Sequence, residues 1–160
     1  MFINKEKGFT LIELLVVIAI IGILSSIVLV SLNTARDKGN DAKTKAQLSS
    51  ARASAEIYFD NNRHYTAAGV ATNDCGVGMF ADVPSKMSTY TNATANYPTG
   101  TVISCQHNAG ALGGVNATAY AMSATLSAAA PAGGTNWCID SAGVSKGIAA
   151  PLGAGVVVCP

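Results

Sequence analysis

The chain contains a run of nineteen residues, from Leu14 to Leu32, that carries no charged side chain. Only Gly22 and three serines interrupt its apolar character. As a helix rising 1.5 Å per residue the run would be about 28 Å long, close to the ~30 Å hydrocarbon core of a bilayer. The run therefore predicts a membrane-spanning helix, and the rest of the chain must be organised around it.

One acidic residue, Glu13, lies inside the apolar stretch just before this run. An ionised carboxylate within the hydrocarbon core costs about 3 kcal/mol on insertion scales. The nearest cations, Lys7 and Arg36, lie outside the stretch. Glu13 either forms a Thr-x-x-Glu capping box with Thr10 at the helix N-terminus, or its partner lies on another copy of the chain.

The residues around this acid resemble those of a known family. Lys5-Glu6-Lys7-Gly8 followed by Phe9-Thr10-Leu11-Ile12-Glu13 is similar to the type III signal of type IV pilins and pseudopilins. The resemblance implies that prepilin peptidase cuts between Gly8 and Phe9 and methylates the new amino group of Phe9. It also implies that Glu13 neutralises the N-terminal amine of a neighbouring subunit during filament assembly.

The same resemblance implies an α+β pilin fold, in which a long N-terminal helix carries a small antiparallel β-sheet head. It divides the chain into a leader at residues 1–8 and a membrane or filament-core half-helix at residues 9–32. An amphipathic half-helix follows at residues 33–62, and residues 63–160 form an αβ-loop and a head with a C-terminal disulfide loop. The likeness is dense over residues 5–24 and only architectural beyond about residue 65.

One departure from the family concerns the long helix. Many major pilins kink it with a proline about nine residues beyond Ile21, where this chain has Val30. Gly22 and the Ser25-Ser26 pair are therefore the points at which the membrane half could bend or melt. Gly39-Asn40 is the corresponding weak point of the second half.

The helical pattern continues beyond the membrane run and predicts an amphipathic helix that ends near Asn62. Small residues at helical spacing would let a sheet approach closely. Asp60-Asn61-Asn62-Arg63 then supplies turn chemistry. One stripe of this helix contains Ala35, Ala42, Ala46, Ala53 and Ile57, and an adjacent stripe contains Leu48, Ala51, Ala55 and Tyr58.

The lysines of the short leader indicate the orientation of the chain. Lys5 and Lys7 precede the span, so residues 1–8 should stay in the cytoplasm and the remainder should face outward. We therefore expect a single-pass protein of the cytoplasmic (inner) membrane before assembly and a cell-surface filament afterwards. A cleaved secretory signal peptide is the competing interpretation, but its apolar region would be shorter and would end at a small-residue site.

All four cysteines lie on the outward side of the span, which predicts two disulfides. Three connectivities are possible, and Cys75–Cys105 with Cys138–Cys159 is favoured because each pair joins neighbours in sequence. Such bridges contribute about 2–4 kcal/mol each. Within the pilin family, disulfides favour a surface pilus over a secretion pseudopilus, since major secretion pseudopilins commonly lack them.

Four short segments of the head are strand candidates, separated by glycine-rich turns. Residues 66–100 have little periodicity and predict a long loop with one helical turn around residues 83–87. The strand candidates are Thr101–Cys105, Ala119–Leu126, Trp137–Asp140 and Val156–Cys159.

Two sequence patterns resemble a catalytic motif and a metal site, but neither predicts an enzyme. Gly143–Gly147 fits Gly-x-Ser-x-Gly, but a nucleophile elbow needs a following helix and a later histidine, so a β-turn is expected. Asp74, Asp82 and Asp140 are too scattered for a metal site, and no Cys-x-x-Cys zinc spacing occurs. We therefore expect no catalytic residue, no metal and no cofactor.

The sequence therefore predicts a structural pilin subunit that polymerises through its apolar helix, for adhesion, motility or DNA uptake. Only 12% of residues are charged, and the net charge is +1, so no specific nucleic acid is expected as a partner. Expected partners are other subunits, prepilin peptidase, the assembly platform and membrane lipid. The alternatives are a pseudopilin of a type II secretion or competence system and a monomeric membrane-anchored binding domain.

Overall fold

The computed structural model describes residues 8–67, 74–108, 116–127 and 134–160. Its contacts divide the chain into two units, Met1–Arg36 and Asp37–Pro160. Leader residues 1–7 and the turn glycines Gly113, Gly114 and Gly133 lie outside the described residues. The helices are α1 (Leu11–Asn62), a 3-10 turn (Gly78–Ala81), α2 (Met87–Thr91) and α3 (Ala93–Asn96), and the strands are β1 (Ile103–His107), β2 (Tyr120–Thr125), β3 (Asn136–Asp140) and β4 (Ser145–Ile148).

Helix α1 contains both halves of the predicted helix and passes through Gly22 and Gly39 without interruption. A single internal glycine costs about 1 kcal/mol relative to alanine, which the good helix formers on either side offset. The helix ends at Asn62, as the turn chemistry predicted, and Arg63 adopts a left-handed conformation with φ 63°. The Asn62 side chain donates to the Tyr58 carbonyl at 3.0 Å and satisfies part of the helix C-terminus.

The four strands form one antiparallel sheet in the order β1-β2-β3-β4. Cys105 lies opposite Met122, Met122 opposite Ile139, and Ile139 opposite Ser145, so one register runs across all four strands. The predicted antiparallel sheet after a long helix is therefore confirmed.

Two strand predictions need correction. Strand β1 lies two residues later than expected, at Ile103–His107, and the fourth strand is Ser145–Ile148 rather than Val156–Cys159. Gly143, with φ 92°, belongs to the β3–β4 turn, whereas Ser145, Lys146 and Gly147 of the Gly-x-Ser-x-Gly pattern lie in β4. Residues 156–159 form no strand: the Cys159 N–H donates to the Asp140 side chain, and the Val156 N–H donates to the Gly153 carbonyl.

The sheet packs one face against the second half of α1. Leu48, Ala51 and Ala55 are fully buried there, and they belong to the same core as Tyr120 and Met122 of β2. Small helix residues allow this close approach because they leave room for the large side chains of the sheet. The other predicted stripe does not contact the sheet, since Ala42, Ala46 and Ala53 are exposed and Ile57 is 51% exposed.

Polar contacts between α1 and the sheet fix the register of this packing. Asp41 accepts a hydrogen bond from the Ser127 backbone N–H at 2.6 Å. The Lys45 ammonium lies 4.5 Å from the Trp137 ring centroid, a cation–π contact. A third contact, from Arg52 to the Val144 carbonyl at 2.6 Å, reaches the β3–β4 turn.

Aromatic rings fill the centre of this core. The centroid of Tyr65 lies 4.8 Å from that of Phe59 and 4.8 Å from that of Tyr120. The Tyr65 hydroxyl donates to Glu56 at 3.0 Å, and burial together with this hydrogen bond raises the pKa of Tyr65 to about 12. These contacts attach the segment that follows α1 to β2.

Residues 149–160, the C-terminal strap, cover the opposite face of the sheet. Strand residues alternate between faces, so β1, β2 and β3 present polar side chains on this side. Ser123 accepts from the Leu152 N–H at 3.2 Å, Gln106 accepts from the Gly155 N–H at 2.8 Å, and Ser104 donates to the Leu152 carbonyl at 3.1 Å. The strap is thus held by side chains rather than by a fifth strand.

Two disulfides fasten the irregular parts of the head to the sheet. Cys138 of β3 is bonded to Cys159 of the strap, and Cys105 of β1 is bonded to Cys75 of the αβ-loop. The αβ-loop is more helical than expected, because it contains the 3-10 turn, α2 and α3. The single helical turn predicted around residues 83–87 is therefore wrong in position and number.

Asp140, on the strap side of the sheet, is fully buried and accepts three backbone hydrogen bonds. Its Oδ1 accepts from the N–H groups of Ala142 at 3.0 Å and Val144 at 2.9 Å, and its Oδ2 accepts from Cys159 at 2.9 Å. One carboxylate thus joins the β3–β4 turn to the strap. In the sequence Asp140 is one of three scattered acids, and its spacing does not indicate this role.

We predict that Asp140→Ala lowers the free energy of unfolding by about 3 kcal/mol, because three backbone N–H groups, the buried one of Cys159 among them, lose their acceptor. Denaturant unfolding of the full chain in micelles, followed by the fluorescence of Trp137, measures this. Asp74→Ala is the matched control, since exposed Asp74 accepts from the Gly76 N–H alone among the described residues, at 2.7 Å, and it should cost less than about 1 kcal/mol. Equal losses in the two variants would contradict the role of Asp140.

Candidate processing and assembly site

The junction between Gly8 and Phe9 lies ahead of the helix. Residues 8–10 have no regular secondary structure, and α1 begins at Leu11. The Phe9 side chain is 86% exposed, and Gly8 is also exposed. The peptide bond between Gly8 and Phe9 therefore lies outside the helix, between two exposed residues.

Thr10 and Glu13 form a reciprocal hydrogen-bonded cap at the start of α1. Glu13 Oε2 accepts from the Thr10 backbone N–H at 2.8 Å and from the Thr10 hydroxyl at 2.7 Å. The Glu13 N–H donates back to the Thr10 hydroxyl oxygen at 3.3 Å. The capping-box interpretation is therefore confirmed within one chain.

This cap leaves the Glu13 carboxylate able to bind a second group. Both described hydrogen bonds use Oε2, and Glu13 as a whole is exposed. A carboxylate offers about four acceptor positions on its two oxygens. The cap and an intermolecular partner are therefore compatible, so the two interpretations of Glu13 do not exclude each other.

The segment that follows this cap is apolar on all sides and uncovered. Its most apolar 18-residue window has a mean hydropathy of 3.0 and is 0% buried, and within the described residues α1 is the one helix long and apolar enough to cross a membrane. The Ser26 hydroxyl donates to the Ile23 carbonyl at 2.7 Å, and that of Thr34 to the Val30 carbonyl at 3.3 Å. Polar groups bonded within their own helix suit an environment without water.

The other patterns considered from the sequence have structural positions in the head. Ser145 accepts from Arg52 at 3.1 Å on the edge strand, and His107 is buried on β1. Each of the three aspartates accepts a hydrogen bond from a backbone N–H two or three residues further along the chain, as seen at Asp74, Asp82 and Asp140. Among the described residues, no group of three or more His, Cys, Asp or Glu side chains could hold a metal ion.

A long apolar helix followed by a small antiparallel meander is a pilin-like α+β fold, and this is the class of protein that the architecture defines. The matching family is described as the prokaryotic N-terminal methylation motif, and the match covers residues 3–29. The N-terminal segment of the chain therefore carries the prepilin motif.

Particular relatives belong to two kinds of machinery. Over 74 residues the chain is 42% identical to the type IV wide pilus major component PilA4 of Thermus thermophilus, covering 46% of this chain and 56% of that protein. Over 82 residues it is 31% identical to the type II secretion system core protein G of Escherichia coli, covering 51% and 53%. Core protein G of Klebsiella pneumoniae is 30% identical over 98 residues, covering 61% and 63%.

The chain thus spans between about half and two thirds of the length of these curated relatives. No solved structure matches the chain. The homologues are pilin and pseudopilin proteins, and they support a structural role for this chain.

Proposed function

We propose that this chain is the precursor of a structural pilin subunit, which polymerises through its apolar helix into a type IV pilus. The observation that carries the proposal is the uncovered apolar half of α1, preceded by an exposed Gly8-Phe9 junction and a capped acid. No enzymatic step is assigned to the chain itself. The relatives' names support the same role.

Processing is the first step of this proposal. Prepilin peptidase cuts between Gly8 and Phe9 and methylates the Phe9 amine, which becomes the new N-terminus. The α1 cap survives cleavage because Thr10 and Glu13 both remain on the mature side. The subunit then stays in the cytoplasmic membrane through its apolar half-helix until the assembly platform extracts it.

Polymerisation follows from the cost of exposing the extracted helix to water. Its large apolar side chains are uncovered in the single chain, and Leu14, Ile18 and Ile21 are each more than half exposed. Burial stabilises by about 25 cal/mol per Å² of apolar area, and copies of the same helix can supply that burial. Glu13 and the amine of a neighbouring Phe9 then form a charge pair that sets axial register, since an unpaired charge in a low-dielectric core is costly.

A second function is supported by the likeness to core protein G of type II secretion systems. In that case the same processing and polymerisation would build a pseudopilus that remains within the cell envelope. The two disulfides of the head favour the surface pilus, through the family pattern described above. Adhesion, motility or DNA uptake would be the role of such a pilus.

The test is to shear filaments from the cell surface and determine the intact mass and N-terminal sequence of the released subunit. We expect a methylated Phe9 start and a mass four hydrogens below that of the reduced chain. Processed protein confined to the membrane fraction would support the pseudopilus instead. A chain that still begins at Met1 and is never sheared would overturn both functions and leave a simple membrane anchor.

A further inference from the structure

Cys159 of the C-terminal strap is attached to strand β3 by two different bonds. Its backbone N–H donates to Asp140 Oδ2 at 2.9 Å, and its sulfur is bonded to that of Cys138. Asp140 and Cys138 lie two residues apart on β3, so their side chains project from the same face of the sheet. The carboxylate and the disulfide therefore hold the same residue of the strap.

The orientation of the Asp140 carboxylate is fixed by the β3–β4 turn. Oδ1 accepts from the N–H groups of Ala142 at 3.0 Å and Val144 at 2.9 Å, and the side chain is fully buried. These donors lie two and four residues further along the chain, so both bonds are local and do not depend on the strap. The turn thus presents Oδ2 to the strap as a fixed acceptor.

The other hydrogen bonds between the sheet and the strap lie further from Cys159. They involve Leu152 and Gly155, seven and four residues before it. Among the described residues, Asp140 is the one sheet side chain that hydrogen-bonds the strap beyond Gly155. Without that bond, the entropy cost of ordering the intervening backbone would oppose the approach of Cys159 to its partner.

We propose that Asp140 is a positioning residue for the formation of the Cys138–Cys159 disulfide. In the reduced chain its hydrogen bond to the Cys159 N–H holds the Cys159 thiol beside the Cys138 thiol. This raises the effective concentration of one thiol at the other. The Cys75–Cys105 disulfide joins the αβ-loop to β1 and does not depend on Asp140.

The reaction consumes an oxidant of the class of low-molecular-weight disulfides, such as oxidised glutathione. One cysteine thiolate attacks a sulfur of the oxidant and expels a thiolate, which leaves a mixed disulfide on the protein. The other cysteine thiolate then attacks the protein sulfur of the mixed disulfide and expels the second thiolate. Two protein thiols are thereby oxidised, and the oxidant is reduced to two thiols that take up the two protons. Asp140 acts on the second step, because only that step needs both cysteines together.

The test equilibrates the full chain in micelles with mixtures of reduced and oxidised glutathione, starting from reduced and from oxidised protein. Alkylation of free thiols and peptide mass spectrometry give the oxidised fraction of each cysteine pair separately. Asp140→Asn keeps the shape of the side chain, but an amide has one acceptor oxygen, so it cannot accept from both the turn and the strap. We expect the equilibrium constant for Cys138–Cys159 to fall by about tenfold and that for Cys75–Cys105 to change by less than about twofold.

Ser104→Ala is the matched control, because it removes a strap hydrogen bond at Leu152 from a strand that does not contain Cys138. It should leave both equilibrium constants within about twofold of those of the parent chain. Equal losses at the two disulfides of Asp140→Asn would mean that the variant only unfolds the head, and would overturn the proposal. An unchanged Cys138–Cys159 equilibrium in Asp140→Asn, or an equal loss in Ser104→Ala, would overturn it as well.

Discussion

Glu13→Val is expected to impair filament assembly while membrane insertion stays intact. Valine removes the acid from the apolar segment, so insertion becomes more favourable, by about 3 kcal/mol on insertion scales. Assembly loses the group that pairs with the amine of a neighbouring subunit. Close charge pairs at interfaces contribute 1.5 kcal/mol or more, so we expect sheared filament yield to fall at least about tenfold. Quantitative immunoblots of sheared and membrane fractions measure both effects.

Thr10→Val separates this role from helix capping. That variant removes the hydroxyl that both donates to Glu13 and accepts from its N–H, but it keeps the carboxylate and the backbone bond of the cap. If Glu13 acts only as a cap, the two variants should assemble to similar extents. If it pairs with a neighbour, Thr10→Val should keep most of the filament yield. Normal yield from Glu13→Val would refute the pairing.

Gly134→Ala is expected to destabilise the head more than Gly143→Ala does. Gly134 has φ 98°, and an added Cβ would overlap the carbonyl group of Ile148 at the end of β4. Because the overlapping atoms are backbone, a side-chain rotation cannot relieve the clash. We expect a loss of on the order of 4 kcal/mol in the free energy of unfolding, measured by denaturant unfolding with Trp137 fluorescence.

Gly143→Ala is the control that isolates the clash from the backbone conformation. Gly143 has φ 92°, but nothing lies within 4 Å of the position of an added Cβ. It should therefore lose only the cost of a left-handed alanine, about 1–2 kcal/mol. Similar losses at Gly134 and Gly143 would mean that the approach of Ile148 to Gly134 is not tight in solution.

Local patterns determined the N-terminal third of the protein. The apolar run, the Thr10-x-x-Glu13 spacing and the turn residues after Asp60 predicted the helix, its cap and its end, because each depends on neighbours within about four residues. The prepilin motif is likewise a contiguous stretch, and the family match covers the same region. Strand β2 was also predicted nearly to its ends, since apolar content and flanking turns marked it.

Only the tertiary structure decided which groups meet across the head. Val156–Cys159 has high strand propensity, but hydrogen bonds from Leu152 and Cys159 to polar side chains of the outer sheet face make it part of a strap. Two helical stripes had similar composition, and packing volume against Tyr120 and Met122 selected the one with Leu48. Three disulfide connectivities were open until Cys75 and Cys138 were placed beside their partners.

The same distinction explains why sequence spacing alone did not reveal the role of Asp140. Asp140 binds the N–H groups of Val144 and Cys159, which approach each other only after the turn and the strap have formed. Local sequence determines helices and motifs, whereas burial and long-range hydrogen bonds determine which side of each element becomes a surface.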